Sequence, residues 1–311
     1  ARQHNEKICI YGDYDVDGTT AVSMLMHYFK TLDMDCIFKI PNRIEEGYGM
    51  NIPALKGLID QGVDLIVTVD NGIAAKEEIT YCCSRNVDVI VTDHHECQND
   101  LPEACAVVDA KRPDAHYPFA ELCGAGIALK MIQAMEMTLN HQQSLQDYLE
   151  RAALATVADI VPLKSENRLI VSLGLESMKA GPVNPGIEAL KKVSEIDDIT
   201  AGRIGFIMAP KINAAGRLGE ADRVISLYNG TEAADLNQTA QFLKEENKKR
   251  QDIEKTITDE AIEKIKSDQL YQQVFIVASG ERWHSGVIGI VASKIQELWH
   301  HPVIVIGIDA D

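Results

Sequence analysis

Apolar residues follow two rhythms along this chain, and the change of rhythm divides it. In the first third, short continuous apolar runs alternate with stretches of helical spacing. Lys7-Ile8-Cys9-Ile10-Tyr11, Cys36 to Ile40, Leu65 to Val69, Val87 to Val91 and Ala104 to Val108 read as five strands. Between the first two, Val22, Leu25, Met26 and Phe29 recur at helical spacing over Thr19 to Leu32, with Thr19 or Thr20 as the expected cap. Continuous apolar strands separated by helices predict a parallel sheet covered on both faces. From Gly124 to Ala158 the spacing is helical, and helices are expected to about Tyr228. Thr231 to Lys266 is polar and charged, contains no Pro or Gly, and carries Leu236, Phe242, Leu243, Ile253, Ile257, Ala261 and Ile265 at helical spacing. One long helix joining two domains is expected there. Val274 to Ala278, a helix over Val287 to Trp299 and a strand at Val303 to Ile308 then open a second α/β unit that is unfinished at Asp311. The expected fold is therefore α/β. A parallel-sheet domain covers 1–230, a connecting helix covers 231–268, and a smaller, truncated α/β domain begins over 269–311, so a fragment of a longer protein is expected.

Composition changes this picture little. The 311 residues are 46% hydrophobic and 25% charged, enough for two ordinary globular domains. No apolar stretch is long enough to span a bilayer, and the N-terminus lacks a signal-peptide pattern. Seven cysteines (Cys9, Cys36, Cys82, Cys83, Cys97, Cys105 and Cys123) contain no Cys-x-x-Cys pair and read as reduced thiols in a cytoplasmic protein. The net charge of −17 argues against nucleic acid as a partner. Divalent cations held by some of those carboxylates would reverse the sign locally.

Candidate chemistry sits at the ends of the apolar runs. The first is followed by GDYDVDG with Asp13, Asp15 and Asp17, the third by Asp70 in TVDNGI, and the fourth by Asp93-His94-His95 in VTDHHE. Asp159 in TVADIVPL follows the apolar Ala152 to Ala158. Strand ends of a parallel sheet share one edge, where ligands collect, so these acids should converge. Crowded carboxylates repel one another unless cations lie between them. Any one of these acids reads equally well as a helix N-cap. Taken together with the histidine pair they suit Mn²⁺ or Mg²⁺, with imidazole favouring Mn²⁺. A calcium loop of the EF-hand type is excluded, because Met24 stands where its twelfth-position Glu is required. Two such ions bridged by a carboxylate are suited to phosphoryl transfer.

These motifs resemble those of the DHH phosphoesterase superfamily, named for the triplet Asp93-His94-His95. Four further stretches are similar to its RecJ-type single-strand-specific exonucleases: PNRIEEGYG (Pro41 to Gly49), TVADIVPL, PKINAAGRLGEA (Pro210 to Ala221) and WHSGVIGIVASK (Trp283 to Lys294). The resemblance implies two Mn²⁺ or Mg²⁺ ions. Asp13, Asp15 and Asp70 would surround one, and Asp17, Asp70, His94 and Asp159 the other, with Asp70 as bridge. Related pyrophosphatases and oligoribonucleases carry a His where this chain has Tyr11, and Asp13 would take that ligand role. The resemblance favours Asp159 over Asp109 as the fourth acid. His95 would face the scissile phosphate, and Asp93 would orient a histidine. Arg43, Asn213, Arg217 and His284 would lie around phosphates, with Arg217 also among the catalytic groups. Arg43 would hold a terminal 5′-phosphate or pair with Glu45 or Glu46. His284 would lie where the second domain closes or in an exposed loop, and Tyr48 would stack or pack.

The implied activity is 5′→3′ hydrolysis of single-stranded DNA to 5′-mononucleotides in DNA repair and recombination. Single-strand-binding protein and a helicase are the implied protein partners, and no membrane is involved. A phosphodiesterase or phosphatase for oligoribonucleotides or small nucleotides is the alternative. A non-catalytic replication scaffold is a third reading, against which the intact acids speak. Aromatic residues are 5% of the chain, thin for a broad stacking platform, so single-strand selection is expected from a narrow opening between domains.

Overall fold

A computed structural model of the chain describes residues 1–43, 45–98, 100–139, 144–181 and 184–308. Ile44 of the Pro41–Gly49 motif and positions 309–311 of the second domain lie outside them. The elements in chain order begin β1 (Ile8–Tyr11), α1 (Val16–Thr31), β2 (Cys36–Lys39), α2 (Ile52–Asp60), β3 (Leu65–Val69), α3 (Lys76–Ser84), β4 (Asp88–Thr92) and β5 (Ala106–Val108). All four pairings are parallel and the strand order is β2-β1-β3-β4-β5. Each strand points successive side chains to opposite faces. Ile8, Ile10, Val67 and Val69 therefore enter a large core under α1, while Cys9, Tyr11, Ile66, Val89 and Val91 enter a smaller core with Leu55 and Leu58 of α2 and Ile79 and Cys82 of α3. Both faces are covered, which is why these strands read as unbroken apolar runs.

A helical layer follows: α4 (Gly124–Leu139), α5 (Gln146–Ala158), α6 (Ser165–Ala180), α7 (Pro185–Val193), the short α8 (Ala201–Arg203), α9 (Ala209–Arg217) and α10 (Asp222–Asn229). One turn of π-helix, Ile204–Met208, joins α8 to α9. The long α11 (Ala233–Ser267) gives Leu236, Ala240 and Leu243 to the large core and Ile257, Ala261 and Ile265 to a third. That third core lies under β6 (Ile276–Glu281), α12 (Ser285–Trp299) and β7 (Val303–Ile308), where β6 and β7 pair in parallel. One local expectation is corrected. The helix after β1 starts at Val16 because the Asp15 carboxylate accepts the Gly18 amide (2.9 Å), so neither Thr19 nor Thr20 is the cap. This places Asp17 in the first helical turn rather than in a loop. Asp159 closes α5, at the end of the helical spacing read to Ala158. All seven cysteines are free. None of the described helices is long and apolar enough to cross a membrane.

Candidate metal centre

The chain reverses its direction of travel across the sheet between β1 and β3, and such a switch point opens a crevice at the carboxyl ends of the strands. Asp13 and Asp15 follow β1, and Asp70 follows β3. Asp70 has φ 61°, a left-handed conformation that Asp and Asn tolerate better than most residues. Asn71 fixes the crevice floor by donating from Nδ2 to Val69 O (2.9 Å) and Tyr11 O (3.3 Å). Tyr11 itself donates its hydroxyl to Gly49 O (3.2 Å).

Three triads of donor atoms meet there, each within 4.8 Å: Asp13–Asp15–Asp70, Asp17–His94–Asp159 and Asp70–His94–His95. His94 Nε2 lies 3.0 Å from Asp70 Oδ1, 3.7 Å from Asp17 Oδ2 and 3.8 Å from Asp159 Oδ2. The 3.0 Å approach to Asp70 is not aligned as a hydrogen bond, and Asp70 Oδ1 and Asp13 Oδ1 are buried without a hydrogen-bond partner. Unsatisfied carboxylate oxygens cost free energy in a core unless a cation takes them. Oxygen donors with one or two imidazoles suit Mn²⁺ or Mg²⁺. The residues present fit such ions.

The electrostatics agree. Burial, and then the charge of Asp15, pushes Asp13 up to about 7. Burial and Asp159 push Asp17 up to about 7, and burial and Asp15 push Asp159 up to about 6. Burial, with Asp17 next, raises Asp70 well above the usual carboxylate range. Burial lowers His94, favouring the neutral imidazole that binds metals. Without cations the site therefore holds protons that cations would displace. Asp17 has one further source of relief, because the Gly124 amide and the Ala125 amide (2.8 Å) at the start of α4 donate to it. A side chain at position 124 would meet Asp70 Cβ at 2.7 Å, so glycine is what lets α4 approach. The helical spacing that begins at Gly124 marks this helix start in the sequence, but not that its first amides meet Asp17; the small-residue run Cys123-Gly124-Ala125-Gly126 is the local signal for so close an approach.

Asp93 is 1% exposed and makes no direct contribution to the triads. Its Oδ1 accepts from the His94 amide (2.8 Å), the His95 amide (3.2 Å) and His95 Nδ1 (2.7 Å), and its Oδ2 from the Ile73 amide (2.9 Å). Burial acts to raise this carboxyl, but the hydrogen bonds from the His95 ring and the Ile73 amide outweigh it and hold Asp93 low. The same bond raises His95. Asp93→Asn should lower Mn²⁺ affinity about 10- to 100-fold with the helical CD spectrum unchanged, as partners of ligating groups do; wild-type affinity would show that the anchor is dispensable.

Around the crevice, Tyr48 is 56% exposed, and its ring makes edge contacts with Tyr14 and His95, each at 6.3 Å. The Arg43 guanidinium lies over Tyr14 at 5.1 Å. Its expected alternative partner Glu46 is taken by Lys39 (2.8 Å) and the Asn42 amide (2.6 Å), and Arg43 makes no ion pair among the described residues. Asn213 Oδ1 accepts the Val16 amide (3.1 Å) at the start of α1. Arg217 donates to Gly286 O (3.0 Å), linking α9 to the unit built around β6 and β7. His284 is not a free loop histidine. It caps α12, accepting the Gly286 amide on Nδ1 (3.1 Å). Asp109 stands apart from the triads, with Oδ1 accepting the Lys111 amide (2.7 Å). A groove of about 670 Å³ between β5 and α4 is lined by Asp109 but by none of the triad residues.

The fold and these donors define a parallel α/β protein whose switch point carries a two-part carboxylate–imidazole centre. The family described as "DHH family, N-terminal domain" matches residues 7–156. The single-stranded-DNA-specific exonuclease RecJ of Bacillus subtilis is 40% identical over 313 residues, covering 100% of this chain and 39% of that protein. A crystal structure of exonuclease RecJ bound to manganese is 32% identical with a TM-score of 0.88, covering 98% of this chain and 76% of that one. RecJ of Thermus thermophilus in complex with Mn²⁺ is 31% identical with a TM-score of 0.82, covering 99% of this chain and 44% of that one. The chain belongs to the DHH family, in its RecJ branch. It spans less than half the length of the Bacillus and Thermus proteins.

Proposed function

We propose that this chain is the catalytic part of a metal-dependent 5′→3′ exonuclease for single-stranded DNA. The observation that carries the proposal is the meeting of two ligand triads at Asp70. Asp13, Asp15 and Asp70 would hold one Mn²⁺ or Mg²⁺, and Asp17, Asp70, His94 and Asp159 the other, with Asp70 between them. Bound there, two such ions supply Lewis acidity and offset negative charge on the phosphoryl oxygens.

The chain's own residues do the rest. His95, whose protonated form the bond to Asp93 favours, faces a scissile phosphate oxygen as a hydrogen-bond donor. Water adds to phosphorus and the 3′-oxygen of the terminal nucleotide leaves, which releases a 5′-mononucleotide. Arg43 presents its guanidinium to the terminal 5′-phosphate from its perch on Tyr14, while Tyr48 supports the end base. Arg217, Asn213 and His284 line the path between residues 1–230 and the unit that starts at 269, with 231–268 as the connecting helix. The setting is DNA repair and recombination in the cytoplasm, with single-strand-binding protein and a helicase as partners.

The test is a 5′-labelled single strand with Mn²⁺, beside the duplex, an oligoribonucleotide and a phosphomonoester. Mononucleotides should appear from the DNA single strand alone. Turnover confined to the oligoribonucleotide or the phosphomonoester would overturn the substrate assignment. Arg43→Ala should lose preference for a 5′-phosphorylated over a 5′-hydroxyl end by about 10-fold, the scale of a lost charged hydrogen bond.

A further inference from the structure

Asp17 and Asp159 approach the same imidazole from two helices, α1 and α5, whose chains reach the crevice from opposite ends. Asp17 is in the first turn of α1 and Asp159 closes α5. Nothing within the crevice sets the axial position of α5, because no hydrogen bond to the Asp159 side chain is present among the described residues. Below the crevice, α5 runs through Ala152, Ala153, Leu154, Ala155 and Thr156, all fully buried, with Leu154 the one large apolar side chain among them. A stretch so rich in small side chains offers few knobs to stop a helix from sliding.

Directly beneath them lies Arg151, 2% exposed. Its guanidinium donates to Asp147 Oδ2 (2.6 Å) and Oδ1 (3.2 Å) on its own helix, to Ser23 Oγ on α1 (3.3 Å) and to Asn229 Oδ1 at the end of α10 (2.8 Å). Asn229 Nδ2 in turn donates to Ser23 O (3.1 Å), and the guanidinium stacks on Tyr228 at 5.6 Å. Ser23 lies about 9 Å along α1 from Asp17, and Arg151 about 12 Å along α5 from Asp159, at about 1.5 Å rise per residue. Both ligands thus stand at similar heights above one cross-link.

We propose that Arg151 is a positioning residue for the metal centre, its fork locking α5 against α1 and α10 so that Asp159 stays within reach of His94 and Asp17. This role rests on the reading of the crevice as a metal centre. A buried fork of this kind costs desolvation, and what it returns is a unique register between packed elements. The first triad, Asp13–Asp15–Asp70, follows β1 and β3, with Asp15 as the cap of α1, and none of its members rides on α5.

The test titrates the chain with Mn²⁺ alone by calorimetry. Arg151→Lys keeps the charge and stem but loses the fork. It should weaken the second Mn²⁺ by about 10-fold or more and leave the first within about 3-fold, the range seen for groups that support ligands. Asn229→Ala and Ser23→Ala remove one arm each and should give smaller losses of the same kind; they carry the test if Arg151→Lys does not fold. Leu58→Ala, in the core under α2, should lower Tm without touching either site. If Arg151→Lys and Asn229→Ala lose stability as Leu58→Ala does and bind both ions normally, Arg151 is only structural and the proposal fails. Asp159→Asn separates the two ideas. If it too binds both ions normally, the metal reading itself is wrong.

Discussion

Replacing Asp70 with Asn should make the metal-free protein more stable and leave it unable to hold its cations. Asp70 is buried among Asp13, Asp15, Asp17 and Asp159, and burial together with those charges holds its carboxyl in the protonated form far above the usual range. Asn has the same shape, carries no charge, and accepts the φ of 61° that Ala would find strained. Because Asn is neutral without taking up a proton on folding, it should stabilise the metal-free chain near neutral pH by on the order of 1–3 kcal/mol, as expected where a site is strained for function. The variant loses the donor that two of the three triads share. Saturating Mn²⁺, which should raise wild-type stability by about 2.7 kcal/mol at about 100 times Kd, should then have little effect. Hydrolysis should fall by on the order of 10³-fold or more. Thermal melts with EDTA and with Mn²⁺, beside the nuclease assay, check all three. An Asn variant that melts lower without metal, or gains as much from Mn²⁺ as wild type, contradicts the crowding.

The second large effect is on pH. Asp13 and Asp17 are raised to about 7 and Asp159 to about 6, from an ordinary value near 3.8. The folded metal-free chain therefore binds more protons than the unfolded chain between about pH 4 and 7, and its stability must fall as pH rises through that window. For Asp13, Asp17 and Asp159 the penalty is absent below about pH 4 and nearly complete above about pH 7. His95, raised by its bond to Asp93, acts in the same direction near neutrality. In EDTA, Tm should drop by on the order of 5 °C between about pH 5 and 8, since each tenfold gain in a group's proton affinity on folding is worth about 1.4 kcal/mol and several groups act together. Saturating Mn²⁺ should flatten or invert the profile, because the ions replace the protons. A metal-free Tm that climbs steadily over the same range would show that the acids are not crowded in solution.

Much of this is legible along the chain. Apolar runs without alternation already mean parallel strands, and the central β1 and β3 are buried along their whole length, since a strand covered on both faces has no polar side to display. The parallel sheet in turn brings Asp13, Asp15, Asp70 and His94 to one rim, because every parallel strand ends on the same edge. Boundaries are less legible. Asp15 reads as a loop acid yet is the cap that starts α1, because a cap depends on a local hydrogen bond and two nearby threonines compete for the role. For Arg43 the residues offer a phosphate or a glutamate as partner; the fold gives Glu46 to Lys39 and seats Arg43 on the ring of Tyr14.

Residue identity and local period were enough for the donor types, the sheet that collects most of them, and the long polar helix. Repeats of two or about 3.6 positions are set by neighbours along the chain, so one strand of text carries them. The packed molecule had to decide the rest: that Asp159 comes within reach of His94 while Asp109 stays outside the triads, that α4 points its first amides at Asp17 across more than a hundred positions, and that Arg151 ties three helices together. Such contacts follow from how packed elements slide and rotate against each other, and no local period records that.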